Sequence, residues 1–184
     1  MTDIVAADIC RFWFDEIEHS SWFKKDAAFD RDLERRFGAL LEQAKRGELD
    51  HWCDSASGYL GLIIVLDQFS RNIFRDSAEA FAADAKALQL ALEVIEKGLD
   101  KKLSLEQRSF AYLPFRHAED LAMQKIGLDK TREINAQGYG SDKYAISHLS
   151  IIERYGRFPH RNEVLGRENT EDEEAYLADG TAGF

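Results

Sequence analysis

Apolar residues recur along this chain at intervals of three and four. That spacing places them on one face of an α-helix, and the strict alternation of a half-buried strand is almost absent. Val5, Ile9, Phe12 and Trp13 predict a first helix. Phe29, Leu33, Phe37, Leu40, Leu41 and Ala44 predict a second, with Lys45 and Arg46 in its last turn and Gly47 as its stop. Residues 58–69 are apolar nearly all round, the pattern of a helix buried at the centre of a domain. Phe81, Ala85, Leu88, Leu92, Ile95 and Leu99 form a stripe, with Ser77 as N-cap and Gly98 as stop. Ser104 and Gln107 have the spacing of a capping box, as do Thr170 and Glu173. Pro114 interrupts the fifth helix and either kinks it or opens a new one. Phe115, Ala118, Ala122 and Ile126 continue the apolar face beyond it, and Ala145, Leu149, Ile152 and Tyr155 mark a later helix. The longest break, and the expected loop, is 127–141.

The fold class expected is all-α, built of antiparallel helical hairpins. Tetratricopeptide arrays are made of such hairpins on a 34-residue period. No clean repeat of that length occurs, so a tetratricopeptide-like arrangement would be a degenerate α-solenoid. With 184 residues and 45% hydrophobic content, the chain can bury one core, and a single domain over 1–184 is expected. The formal net charge of −10 repels phosphate backbones and anionic bilayers, which argues against nucleic-acid and membrane partners. Cys10 and Cys53 are far apart, have no metal-type spacing, and read as small buried thiols. The start lacks a basic region followed by an apolar run, and the longest apolar stretch, 60–66, is far too short to span a bilayer. These features predict a cytoplasmic protein.

Three segments combine polar groups with apolar flanks. In 66–75, Asp67 follows Ile63 and Ile64 by one turn, so its carboxylate emerges among apolar side chains. Unpaired, it would be costly there. Arg71, four residues on, is placed to pair with it. Gln68, Asn72 and Arg75 complete a set that either fixes the helix end or faces a cleft. In 112–120, His117 and Asp120 share a helical face, a pairing that suits a general base, with Glu119 as an alternative partner. An ion-pair network on the helix surface explains the same residues without chemistry. In 154–167, Arg154, Arg157, Arg161 and Arg167 gather with His160 and Asn162 in an otherwise acidic chain. Guanidinium groups suit carboxylate or phosphate. The acids at 168 and 171–174 follow directly and offer internal neutralisation instead. His148 lies on a largely apolar face and reads as a hydrogen-bonded core histidine. Phe12, Trp13, Phe14, Trp22 and Trp52 read as core. No phosphate loop, nucleophile elbow, HExxH or EF-hand motif is present, and neither a metal nor a cofactor is expected.

Segment 67–75 with 80–84, segment 112–119 and segment 157–167 together resemble a bacterial domain-of-unknown-function family, number 924, over nearly the whole chain. The resemblance implies an all-helical, tetratricopeptide-like fold and no particular activity. This chain departs from the family pattern at Ser70, where proline is usual, and at Arg116 and Ala118, where methionine and serine are usual. A charged Arg116 beside His117 bears on that histidine's pKa. The leading expectation is a module that binds a small anionic molecule or the acidic end of a peptide. Asp67, Gln68, Arg71, Asn72, Arg75, Arg157, His160, Arg161, Asn162 and Arg167 are its candidate ligand-binding residues. The competing expectation is an enzyme on a small anionic substrate, with His117, Glu119 and Asp120 as catalytic candidates. The third is that these clusters only brace the fold. The sequence does not set the oligomeric state.

Overall fold

The computed structural model describes residues 4–179, and the secondary structure among them is helical with no strand. Helix α1 (Ala6–Arg11) runs on through a wide, i→i+5 bonded turn at Phe12–Glu16. Helix α2 (Ala27–Lys45) is capped by Asp26, whose carboxylate accepts from the amides of Ala28 and Phe29, and it stops before Gly47 at φ 84°. Helix α3 (Ala56–Ile63) leads without a break into a second i→i+5 segment, Ile64–Phe69, and then into α4 (Ser70–Ile73). Every residue from 58 to 70 is buried, so the apolar stretch does form the centre. Helices α5 (Asp84–Glu96), α6 (Leu105–Ala111), α7 (Leu113–His117), α8 (Leu121–Asn135), α9 (Lys143–Tyr155) and α10 (Glu171–Ala178) follow. Both capping boxes are made, Ser104 with Gln107 and Thr170 with Glu173.

Several expectations are corrected. Residues 127–135 belong to α8, not to a loop, because Gly127 is where α8 packs against α7. A Cβ at that position would lie 2.7 Å from the Cβ of Phe115, so glycine here permits close helix approach and does not break the helix. In α5 the buried face is Ala87, Leu90, Ala91 and Val94. The predicted Ala85 is exposed, and Leu88, Leu92, Ile95 and Leu99 are half-buried. The helix is apolar over a wide arc, and the face with two alanines goes inward against the crowded α3. Ser77 caps a single turn at Ala78–Phe81, ahead of α5 itself. Pro114 opens α7 in place of kinking α6, and Ala122 is exposed because the chain turns at Ala118 before α8 begins.

The main core is aromatic. Trp13 packs on Phe69 and edge-on to Phe110, and Phe12 lies edge-on and Phe37 tilted against Phe69. Trp22 and Trp52 are also buried in it, and Phe14 is half-buried. Cys10 and Cys53 are free and only half-buried, and burial pushes both thiols up to about 11. A separate, smaller cluster forms from Ile151, Ile152 and Phe158, with Tyr155 and Tyr176 against it. Among the described residues no helix is long and apolar enough to cross a membrane.

Candidate functional site

Buried polar groups from α3–α4, α5, α7, α9 and the turn at Pro159–Arg161 meet at the seam between these two apolar clusters. Asp67 sits in the i→i+5 segment, a backbone irregularity often found where a side chain is aimed for function. Its side chain is 1% exposed. One carboxylate oxygen accepts from His117 Nδ1 at 2.7 Å and lies 3.1 Å from an Arg71 terminal nitrogen; the other accepts from Gln68 at 2.7 Å. Burial opposes ionisation, but Arg71 and His117 beside it, with the hydrogen bonds from His117 and Gln68, hold the carboxyl well below its usual range.

An ionised Asp67 only accepts, so His117 carries its proton on Nδ1. Burial and then the Arg71 charge lower the His117 pKa, which Asp67 only partly offsets, so at neutral pH the ring is neutral with a lone pair on Nε2. The end of α7 is held in place from α8, where Gln124 donates to the carbonyls of Arg116 and Ala118 at 2.7 and 2.8 Å. The sequence-based pairing of His117 with Asp120 is corrected. Helix α7 ends at His117, and Asp120 instead caps α8 by accepting from the Met123 amide. Glu119 does not touch His117 either. It accepts two hydrogen bonds from Arg167 and one from the Phe158 amide, which lowers its pKa despite burial.

Arg71 clamps Asp84 at 2.8 and 2.9 Å and also donates to the Asp67 carbonyl. Arg161 approaches the same Asp84 carboxylate, but only to 3.6 Å. Its guanidinium lies between the rings of Phe81 and Phe158, 4.6 and 4.5 Å from their centroids. Among the described residues it donates no hydrogen bond, and its Nε is buried without an acceptor. Burial, reinforced by Arg71, lowers its pKa to about 10. His148 lines the same seam, 6.5 Å from the His117 ring and edge-on to Phe158. Its Nδ1 bonds to the Tyr144 carbonyl at 2.7 Å, and burial lowers its pKa to about 3.

The other candidates lie apart from this centre or are engaged. Arg75 is clamped by Asp30 of α2 at 2.7 and 2.8 Å. Arg157 is clamped by Glu173, Arg154 by Asp172, and Arg167 by Glu119. Asn72 is buried with its amide nitrogen unpartnered among the described residues, and Asn162 donates to Asn169. His160 is exposed beside the Phe158 ring. Asp84, Phe81, Phe158, His148 and Gln124 escaped the sequence reading as site residues. An aspartate in a helix's first turn, or an aromatic in a helical stripe, already has a local explanation. Among the described residues, no three His, Cys, Asp or Glu side chains gather closely enough to hold a metal.

The model of the family described as "Bacterial protein of unknown function (DUF924)" matches residues 9–181. A solved structure from Agrobacterium tumefaciens, the protein of unknown function ATU0120, is 44% identical over 95% of this chain and 97% of its own, with a TM-score of 0.87. No curated protein matches the chain.

Proposed function

This chain belongs to the family of bacterial proteins of unknown function DUF924, and from that premise we propose that it binds a small anionic molecule at the seam between Arg161 and His117. The scaffold in this reading is a degenerate, tetratricopeptide-like stack of helical hairpins in the bacterial cytoplasm. One observation carries the proposal. The Arg161 guanidinium is buried, yet among the described residues it donates no hydrogen bond, and its nearest carboxylate is already held by Arg71. A buried guanidinium with unspent donors costs free energy that a bound carboxylate or phosphate offsets. The side chain is only 7% exposed, which favours a compact anionic group. The neutral Nε2 of His117 accepts, so the ligand carries a hydroxyl or amino donor beside its anionic group.

Calorimetric titration with inorganic phosphate and with acetate, at low ionic strength and neutral pH, tests this. Saturable binding of at least one anion, weakened tenfold or more in Arg161→Gln and partly restored in Arg161→Lys, is the expected result. Equal affinity in all three proteins, or none up to millimolar concentration, overturns it.

A second reading, an enzyme acting on such a ligand, is favoured by the Asp67–His117 hydrogen bond. It fixes one tautomer of a neutral imidazole, the arrangement a general base requires. In a screen of small anionic esters, His117→Gln then abolishes turnover while anion affinity persists. Turnover that survives the substitution sinks this reading.

A further inference from the structure

Helix α7 also borders a hollow of about 170 Å³. Trp22, Phe110, Leu113, Ile134 and Tyr139 supply apolar walls, and Arg116 supplies a charge. The polar atoms of most lining residues are spent within the protein. The Trp22 indole donates to the Trp13 carbonyl at 2.9 Å, Tyr112 to Asp100 at 2.7 Å, Thr131 to Gly127 at 2.8 Å and Ser109 to Glu106 at 2.6 Å. Tyr139 donates to Glu106 at 3.5 Å, and burial raises the pKa of its phenol. One group is an exception. Arg116 is half-buried and, among the described residues, has neither a carboxylate within ion-pair distance nor a hydrogen bond from its guanidinium, whereas Arg71, Arg75, Arg157 and Arg167 are each clamped by one. At the rim, Phe23 is 73% exposed, the most exposed of the large apolar side chains among the described residues. It lies parallel to Phe110 at 6.0 Å.

We propose that this hollow binds a compact aryl carboxylate of the benzoate class, with the ring against Trp22, Phe110 and Ile134 and the carboxylate on Arg116. The volume is close to that of cavities known to take a single benzene ring. Apolar walls with one convergent polar group are the usual composition of a small-molecule site. One guanidinium balances one negative charge. A phosphate dianion would leave uncompensated charge near Glu106 in a chain of net charge −10, which selects a monoanion. A neutral ring would fill the apolar space and leave Arg116 unpaired. A cation would meet Arg116 directly. An occupant would also cover Phe23, whose present exposure is otherwise unfavourable.

The test is calorimetric titration of the full chain with benzoate, benzamide and acetate, on the unaltered protein, Arg116→Met and Arg116→Lys. Arg116 is half-buried and makes no ion pair, so both variants are expected to fold, which thermal unfolding checks. Expected are saturable benzoate binding, affinity at least tenfold lower for benzamide and for Arg116→Met, partial recovery in Arg116→Lys, and no binding of acetate at this site. Benzoate affinity unchanged in Arg116→Met overturns the proposal. So does benzamide binding as well as benzoate, or no saturable benzoate binding up to millimolar concentration.

Discussion

Two arginine-bearing regions of this protein solve the same electrostatic problem differently. In the C-terminal region, Arg154, Arg157 and Arg167 are each met by a carboxylate at 2.6–2.7 Å, from Asp172, Glu173 and Glu119 respectively. At the seam, Arg71 and Arg161 converge on one carboxylate, Asp84, and Arg71 takes both oxygens. In the first arrangement Arg154–Asp172 lies in water, where exposed pairs contribute little and salt weakens them, while Arg157 and Arg167 each hold a partly or fully buried carboxylate of their own. The second is buried, so each charge without a full complement of partners carries a desolvation cost. The lesson is that a run of arginines in an acidic chain marks neither a site nor a brace by itself. Burial relative to partner count decides, and it singles out Arg161: Arg154, Arg157 and Arg167 each hold a carboxylate at 2.6–2.7 Å, although the Arg167 Nε is also buried without an acceptor among the described residues.

The contrast is broken most forcefully at Asp67. Its removal in Asp67→Ala strips partners from Arg71, His117 and Gln68 together. It is expected to lower the unfolding free energy by roughly 3–5 kcal/mol in urea denaturation. A cost no greater than that of Arg157→Ala would remove the distinction between the regions.

Acid separates them next, through different pH windows. His148 is held down to about 3 from 6.5 by burial, so an unfolded chain binds a proton there before the folded one does. Its contribution is complete above pH 6.5 and is lost as pH falls toward 3, at no more than about 1.4 kcal/mol per pH unit. Glu173 is held at about 2, below its ordinary 4.5, by its hydrogen bonds with Arg157, so the Arg157–Glu173 clamp weakens as pH falls from 4.5 toward 2. Melting temperature against pH should therefore decline first in a step that His148→Gln flattens, then in one that Glu173→Gln flattens. A first step unaffected by His148→Gln would contradict the assignment.

Smaller changes sharpen the clamp side. Arg157→Ala should lower the melting temperature with no ligand present, by an amount that shrinks as salt is added, and leave phosphate affinity as it was. Loss of phosphate binding in this variant would move the ligand to the C-terminal region. The smallest effect is expected from Thr170→Ala, which removes the hydroxyl that accepts from the Glu173 amide. A loss of about 1 kcal/mol, or about 2–4 °C in melting temperature, is the expected cost of such a cap.

Helical periodicity made the elements legible because it depends only on neighbours three and four residues away. The buried stretch at 58–69, both capping boxes and the stop at Gly47 were all readable in this way. Gly127 misled because a glycine that ends a helix and one that admits a neighbouring helix look alike in sequence. The α5 face misled because alanines at 87 and 91 carry little hydrophobic signal yet pack closest. Within the site, Asp67 with Arg71 was legible as an i, i+4 pair. The partner of His117 was not, because Asp67 lies 50 residues away, whereas Asp120 stands close in sequence beyond a helix end at Ala118. Pairings across elements leave no periodic trace, so Asp84 and Phe158 could not be assigned to Arg161 beforehand.

The most direct measurement follows arginine Nε–H resonances in a ¹⁵N-resolved NMR titration with inorganic phosphate. The Arg161 Nε has no acceptor among the described residues, whereas the Arg157 Nε already donates to Glu173 at 2.7 Å. The account predicts a saturable shift at Arg161 with Arg157 unmoved. Parallel drift of both with ionic strength, or a saturable shift at Arg157 alone, would contradict it.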